Sequence, residues 1–323
     1  MKQKDVQIKS AEEVEQEFRK KCLFESGISY SSGAILIIII SALFGLIVTA
    51  SVTFPKNVLG ETEYPDWYRY LSFLLPQIAL FGAALIYFLR TKEPVRVLAK
   101  PGKWYYFFIA LALQLGLMFP VSELNELFIE GLHAIGYHGS GIEGLVPTLD
   151  GWNLLPAILV IALLPAIFEE TLFRGLLSRN MHASGWGIVP TIFLTGALFS
   201  IYHGNPEQTL YQFVSGICLT FVAIKSGSIL PTMVAHFFNN ALVLVFEATG
   251  YGTSWNMPTG AYIAVLVVSA LLFLGALAFL LFDKRNVQRG KIKNGKKFFF
   301  GAIAGIGVCV IQWIATLIMG FLS

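Results

Sequence analysis

The segment WNLLPAILVIALLPAIF, residues 152–168, runs directly into Glu169-Glu170-Thr171-Leu172-Phe173-Arg174. The apolar part is typical of a membrane-spanning helix, and the charged hexapeptide interrupts it. Ionisable groups are expensive at membrane depth, so they usually face a protein interior or a wet cavity and have a function there. This stretch therefore predicts a membrane fold and also marks the position of a candidate site.

The composition supports a membrane protein along the whole chain. The 323 residues are 55% hydrophobic and 13% charged, whereas about 25% of the residues of a soluble domain are charged. The net charge of +3 is too small to indicate a nucleic-acid partner. The three cysteines, Cys22, Cys218 and Cys309, form no CxxC pair, and their odd number predicts no disulfide framework.

The expected fold is an all-α, polytopic transmembrane helical bundle of about nine spans. The fourth, fifth and sixth spans are short or broken, so eight spans are also possible. The spans are residues 33–55, 71–89, 104–122, 152–168, 186–202, 209–224, 227–246, 260–282 and 298–322. We divide the chain into an N-terminal amphipathic segment, 1–30, N-terminal transmembrane helices, 31–151, a core, 152–246, and C-terminal helices, 247–323, with a basic loop at 283–297.

The N-terminal segment carries the start signal of a helix. Ser10 and Glu13 form a capping-box pattern, and Val14 and Phe18 follow on one side. We predict a short helix that lies on the membrane surface. The apolar run 33–55 is long enough to stay in the membrane, so we expect no cleavage as a signal peptide.

The distribution of Lys and Arg predicts the orientation. With the N-terminus in the cytoplasm, 21 of the 23 basic residues fall in cytoplasmic segments, and only Lys56 and Arg69 lie outside. Nine spans then place the C-terminus outside. The basic loops predict contact with anionic lipid headgroups, and we expect a multi-pass protein of a bacterial plasma membrane. In the last span, Gly301, Gly305 and Gly307 match a helix-packing face of small residues.

The hexapeptide predicts two carboxylates with different environments. Glu170 and Arg174 are four residues apart on one helix and can form an ion pair. Glu169 points about 100° away from Glu170 and lacks that partner. An unpaired carboxylate in a pocket of low dielectric can act as a general base near neutral pH. The alternative is a set of interfacial charges at the cytoplasmic end of a helix.

Three further polar residues follow in apolar runs. His203 precedes the helix-breaking Gly204-Asn205-Pro206, while His236 and Asn240 share one helix face. Hydrogen bonding between helices is the alternative role for each. If the chain turns near residue 184, Glu169 and His203 lie about 22 and 28 Å from that turn, at a similar depth. This requires the fourth helix to continue past Glu169 to about residue 182.

Taken together, these residues resemble the CPBP family, which comprises CAAX prenyl endopeptidases and the bacteriocin-processing or self-immunity proteins called Abi. The family pattern EExxxR, FxxxH and HxxxN corresponds here to three motifs over about residues 152–246. They are Glu169-Glu170-xxx-Arg174, Phe199-xxx-His203 and His236-xxx-Asn240.

The resemblance implies an intramembrane endopeptidase that cleaves a peptide or a membrane-anchored protein. Glu169 and His203 would activate water, His236 and Asn240 would stabilise the oxyanion, and Glu170 and Arg174 would hold the helix in place. Glu169, His203 and His236 also match the composition of a catalytic zinc site. Because HExxH is missing and Asn240 suits an oxyanion better, we favour a mechanism without a metal, with Zn²⁺ as the alternative.

Two other functions stay open at this point. The same fold can serve as a non-catalytic membrane adaptor or immunity protein that binds and regulates a partner. Intramembrane Glu and His residues also occur in transporters and proton relays. Inverted repeats would favour a transporter, and the sequence shows none.

Overall fold

The structure is a computed structural model that describes residues 10–56, 62–139, 145–250, 257–287 and 292–322. Over these ranges the chain is an all-α bundle, as predicted. Its main helices, numbered in chain order, are α1 (Ala11–Ser51), α2 (Asp66–Thr91), α3 (Tyr105–Ala134), α4 (Gly151–Ala183), α5 (Ile188–Tyr202), α6 (Thr209–Ser226), α7 (Leu230–Ala248), α8 (Thr259–Phe282) and α9 (Gly295–Leu322).

Eight of these helices are long and apolar enough to cross a membrane. The exception is α5, which has only 15 residues and is therefore about 22 Å long. The single-turn helix Pro206–Gln208 follows it and continues into α6. The chain is thus an integral membrane protein, and the question of eight or nine spans concerns α5 alone.

Hydrogen bonds and ion pairs between chain segments show which helix ends share a face of the bundle. At one end, segments near residues 25, 90–98, 179–186, 224–229, 286 and 293 contact one another, through pairs such as Arg179–Glu93 and Trp186–Lys293. At the other end, segments near 69, 125, 138, 146, 207–209 and 313–320 do so. Since α5 connects the first end to the second, the described part of the chain passes between the two ends nine times.

The first helix differs from the prediction. Ser10 and Glu13 form the expected capping box, but the helix then continues for 41 residues to Ser51. The predicted short surface helix and the first span are therefore one element, because nothing between them breaks the helix. Residues 1–9, and residues 288–291 of the predicted basic loop, lie outside the described ranges.

Small residues allow α1 and α9 to approach closely. A Cβ atom on Gly301 would lie 2.8 Å from the Phe24 carbonyl oxygen, and one on Gly305 would lie 2.6 Å from the Ser31 Cα. The Ser31 hydroxyl donates to the Gly301 carbonyl at 2.7 Å. The predicted packing face is confirmed for these two glycines. It is wrong for Gly307, where a Cβ would meet no atom within 4 Å.

Helix α4 runs through the centre of the bundle. It extends unbroken to Ala183, as the depth argument requires, and it contains two π-helical segments, Ile158–Leu163 and Thr171–Ser178. The four large apolar residues of the second segment are fully buried: Leu172, Phe173, Leu176 and Leu177. Such segments are frequent at functional sites. Cys22, Cys218 and Cys309 are all free and buried.

Candidate functional site

The centre of the site is an ion pair within α4. Arg174 donates from Nη1 to Glu170 Oε1 at 2.7 Å, and neither side chain has any solvent exposure. The guanidinium also donates from Nη2 to the Gly216 carbonyl on α6 at 3.3 Å. The pairing predicted from the four-residue spacing is present, and it links α4 to α6.

His236 on α7 joins this pair. Its Nδ1 lies 2.8 Å from Glu170 Oε1, and its Nε2 lies 4.0 Å from Glu169 Oε2. Only 8% of the His236 side chain and 12% of the Glu169 side chain are exposed. The two carboxylates of α4 therefore face the two nitrogens of one imidazole, and Glu170 orients the ring.

His203 follows the last residue of α5 and approaches the same place from a third helix. Its Nδ1 lies 2.8 Å from the Phe199 carbonyl oxygen. The ring is close enough to interact electrostatically with both Glu169 and His236. Nδ1 therefore donates to a backbone oxygen, and Nε2 is left as the acceptor nitrogen.

Phe199, the aromatic residue of the second motif, separates the charged groups. The Arg174 guanidinium lies 4.5 Å from the centroid of its ring, and the His203 ring lies 4.7 Å from it at a steep angle. The glycines Gly196 and Gly216 permit this packing, since a Cβ on Gly216 would lie 2.8 Å from the Gly196 Cα. A buried aromatic ring thus fixes the arginine and the histidine at once.

Asn240 lies one turn after His236 and has different partners. Its Nδ2 is 3.4 Å from the Ile161 carbonyl of the first π-helical segment, and its Oδ1 accepts from Asn239 Nδ2 at 3.2 Å. In turn, the Tyr211 hydroxyl donates to Asn239 at 2.8 Å. The structure therefore brings five of the six predicted residues into one contiguous group. The sixth, Asn240, bonds instead to Ile161, about two turns before Glu169 on α4.

Two side chains at the site were not predicted from the sequence. Gln77 on α2 is buried, and its Nε2 lies 3.5 Å from Glu169 Oε1. The Tyr202 hydroxyl interacts electrostatically with Glu169 and makes no hydrogen bond to the described residues. A signal for Gln77 existed, because Pro76-Gln77 is a polar interruption of an apolar span. Tyr202 has no such signal.

The chemistry of the zinc alternative can be compared with this geometry. Glu169, His203 and His236 are suitable donors, and each histidine has its Nδ1 engaged, as in many metal sites. However, within the described ranges no group of three or more His, Cys, Asp or Glu side chains is placed to hold a metal ion. As arranged, the three residues do not fit a zinc site.

Comparison with known proteins supports the resemblance found in the sequence. Residues 151–242 match the family described as type II CAAX prenyl endopeptidase Rce1-like. This range contains all six site residues, and the match supports an intramembrane protease of the CAAX type. The uncharacterized protein YyaK of Bacillus subtilis (strain 168) is 27% identical over 218 residues, which cover 63% of this chain and 69% of that protein. No solved structure gives a significant match.

Proposed function

We propose that the chain is a glutamate-dependent intramembrane endopeptidase that hydrolyses a peptide bond in a peptide or a membrane-anchored protein. The observation that carries the proposal is that two adjacent carboxylates, Glu169 and Glu170, have different hydrogen-bond and ion-pair partners. Glu170 is held through its Oε1 atom, which accepts from Arg174 and lies 2.8 Å from His236 Nδ1, whereas its Oε2 atom is buried without a partner among the described residues. Glu169 has no cationic partner as close in this part of the chain: it has a 3.5 Å contact with Gln77 and faces His236 across 4.0 Å. Glu169 is therefore the carboxylate available to act as a base.

In the proposed reaction, water binds between Glu169 and the Nε2 atom of His203. Glu169 takes one proton from this water while the water oxygen attacks the carbonyl carbon of the substrate. The C–N bond of the tetrahedral intermediate then breaks, and the proton on Glu169 passes to the leaving amine. The products are a new carboxyl terminus and a new amino terminus.

His236 suits the stabilisation of the oxyanion. In the imidazolium form both ring nitrogens are donors, so Nδ1 can donate to the Glu170 carboxylate while Nε2 donates to the oxyanion. Asn240 would supply a second donor after its amide leaves the Ile161 carbonyl, to which the bond is long at 3.4 Å. His236 is fixed by Glu170 before the reaction, and a donor fixed in this way stabilises developing charge without reorganisation.

The substrate follows from the resemblance and not from the geometry. Prenylated proteins are one branch of the related family, and peptide pheromones, bacteriocin precursors and small membrane proteins fit equally. The basic loops at one end of the bundle support cleavage near the cytoplasmic face, where Lys and Arg concentrate.

The test compares the membrane and secreted peptidomes of cells that carry wild type, Glu169→Gln or Glu247→Gln at matched protein levels. Glu247 is an exposed glutamate near the end of α7 and controls for the substitution itself. Removing a general base lowers a rate by about 10²–10⁴. We therefore expect specific cleavage products with wild type and Glu247→Gln, and none with Glu169→Gln.

Identical peptidomes in all three strains would overturn the proposal. If a phenotype still depended on the protein, such a result would favour the membrane adaptor. A proton relay would also lose function in Glu169→Gln, but wild-type cells would then yield no cleavage products.

A further inference from the structure

A cavity lies beside Arg174, and neither Glu169 nor Glu170 lines it. It has a volume of about 230 Å³, and it is bounded by the last turns of α4, the linker between α2 and α3, and the turn between α6 and α7. Lys100, Gly227 and Asn286 at its edge are exposed, whereas Arg174 is buried. The cavity therefore runs from an end of the bundle inward to the ion pair of the site.

The lining of this cavity is basic. Lys100, Arg174, Arg179 and His182 contribute to it, and no Asp or Glu does. Arg174 and Arg179 each have one carboxylate partner, Glu170 at 2.7 Å and Glu93 at 2.9 Å. Neither carboxylate belongs to the lining. Lys100 forms no ion pair within the described ranges, so it is the lining cation whose charge is not already matched.

Two buried polar atoms of the lining residues lack partners. Arg174 Nε and His182 Nδ1 make no hydrogen bond within the described part of the chain. An arginine Nε–H is always a donor, and leaving a buried donor unpaired is unfavourable. Buried polar groups are normally satisfied, so an orphan donor in a basic cavity points to a ligand that accepts hydrogen bonds.

The start of helix α7 borders the cavity, but its first backbone N–H groups are already used. Ile229 donates to the Leu98 carbonyl oxygen and Leu230 to Ser228 Oγ, each at 3.2 Å, and Pro231 has no N–H. The preference of the cavity for an anion therefore comes from its cationic side chains and the orphan donor of Arg174.

We propose that this cavity binds a phosphate group, either free or as the headgroup of an anionic lipid. Its volume of about 230 Å³ corresponds to about eight water molecules at liquid density, which is enough for a phosphate and part of its hydration shell. Arginine and lysine side chains are the usual ligands of phosphate in proteins. The inference concerns binding alone and does not depend on hydrolysis by Glu169.

The experiment uses the purified full-length protein in a neutral detergent. Inorganic phosphate is titrated by calorimetry against chloride at matched ionic strength. Wild type is compared with Lys100→Gln, with Lys103→Gln, and with Ala183→Phe, which fills the cavity without changing its charge. Lys103 is an exposed lysine of the same linker that does not line the cavity. Thermal unfolding of each variant confirms that it folds.

We expect saturable phosphate binding that Lys100→Gln weakens about tenfold, as loss of a charge-assisted hydrogen bond predicts. Lys103→Gln should stay within about twofold of wild type, and Ala183→Phe should abolish binding.

A second arm distinguishes the source of the phosphate group. Nanodiscs of phosphatidylcholine with phosphatidic acid are prepared, and the lipids retained by the protein are counted by native mass spectrometry. Retention of phosphatidic acid that is lost in Lys100→Gln and Ala183→Phe, without binding of inorganic phosphate, assigns the cavity to a lipid headgroup. If neither probe binds, or if Lys100→Gln and Lys103→Gln behave alike, the proposed site does not exist.

Discussion

Replacing Arg174 with glutamine tests how the buried ion pair contributes to the fold. The substitution leaves the Glu170 carboxylate, which has no solvent exposure, without its 2.7 Å partner. Breaking a buried pair by removing one member costs about 3–5 kcal/mol. The lost hydrogen bond to the Gly216 carbonyl and the lost contact with the Phe199 ring belong to the same event. We therefore expect a total loss of about 3–5 kcal/mol in the free energy of unfolding.

The measurement is reversible unfolding of the purified protein in mixed micelles, with Arg19→Gln as the matched control. Arg19 pairs with Glu15 at 2.6 Å over the same four-residue spacing, but 37% and 61% of the two side chains are exposed, so its loss should cost at most about 1 kcal/mol. The double variant Glu170→Gln/Arg174→Gln should be less unstable than the sum of its single variants, because it leaves no unpaired charge. If Arg174→Gln is no less stable than Arg19→Gln, the reasoning is refuted.

Two further predictions concern the packing of α9 and the loop after α8. Gly301→Leu should destabilise the fold by about 1–3 kcal/mol through a clash with α1, whereas Gly307→Leu, with no atom near its Cβ, should change thermal unfolding by no more than about 0.5 kcal/mol. Burial opposes ionisation of Asp283, but hydrogen bonds from Arg285 and Tyr106 outweigh it and lower its pKa from 3.8 to about 2. Its contribution to stability is thus complete above about pH 4 and lost as the pH falls towards 2; thermal unfolding over this range should depend less on pH in Asp283→Asn.

Local patterns in the sequence were sufficient for the helices and for part of the site. Apolar runs located the nine helices, and the four-residue spacing gave the pairing of Glu170 with Arg174. The argument that Glu169 and His203 lie at a similar depth agrees with the structure, since the His203 ring is close enough to the Glu169 carboxylate to interact with its charge. Each of these predictions uses only helix geometry and distances along the chain.

The remaining features depend on how helices pack, which spacing does not encode. The contact of His236 Nδ1 with Glu170 rather than Glu169 is set by the rotation of α7 against α4. The bond from Asn240 to the Ile161 carbonyl involves a π-helical segment of α4, which a period of 3.6 does not predict. Gln77 reaches Glu169 from a helix 92 residues away in sequence.

The odd number of passes has a consequence for how the chain can be rearranged. Helices α4 to α7 are four in number, so this unit enters and leaves the bundle at the same face, where residues near 146 and 207–209 lie. Deleting, transplanting or duplicating this unit would not reverse the direction in which the following helices cross the bundle. The residues that match the Rce1-like family fall within this unit of four helices, so the five flanking helices would keep their directions whether or not it is present.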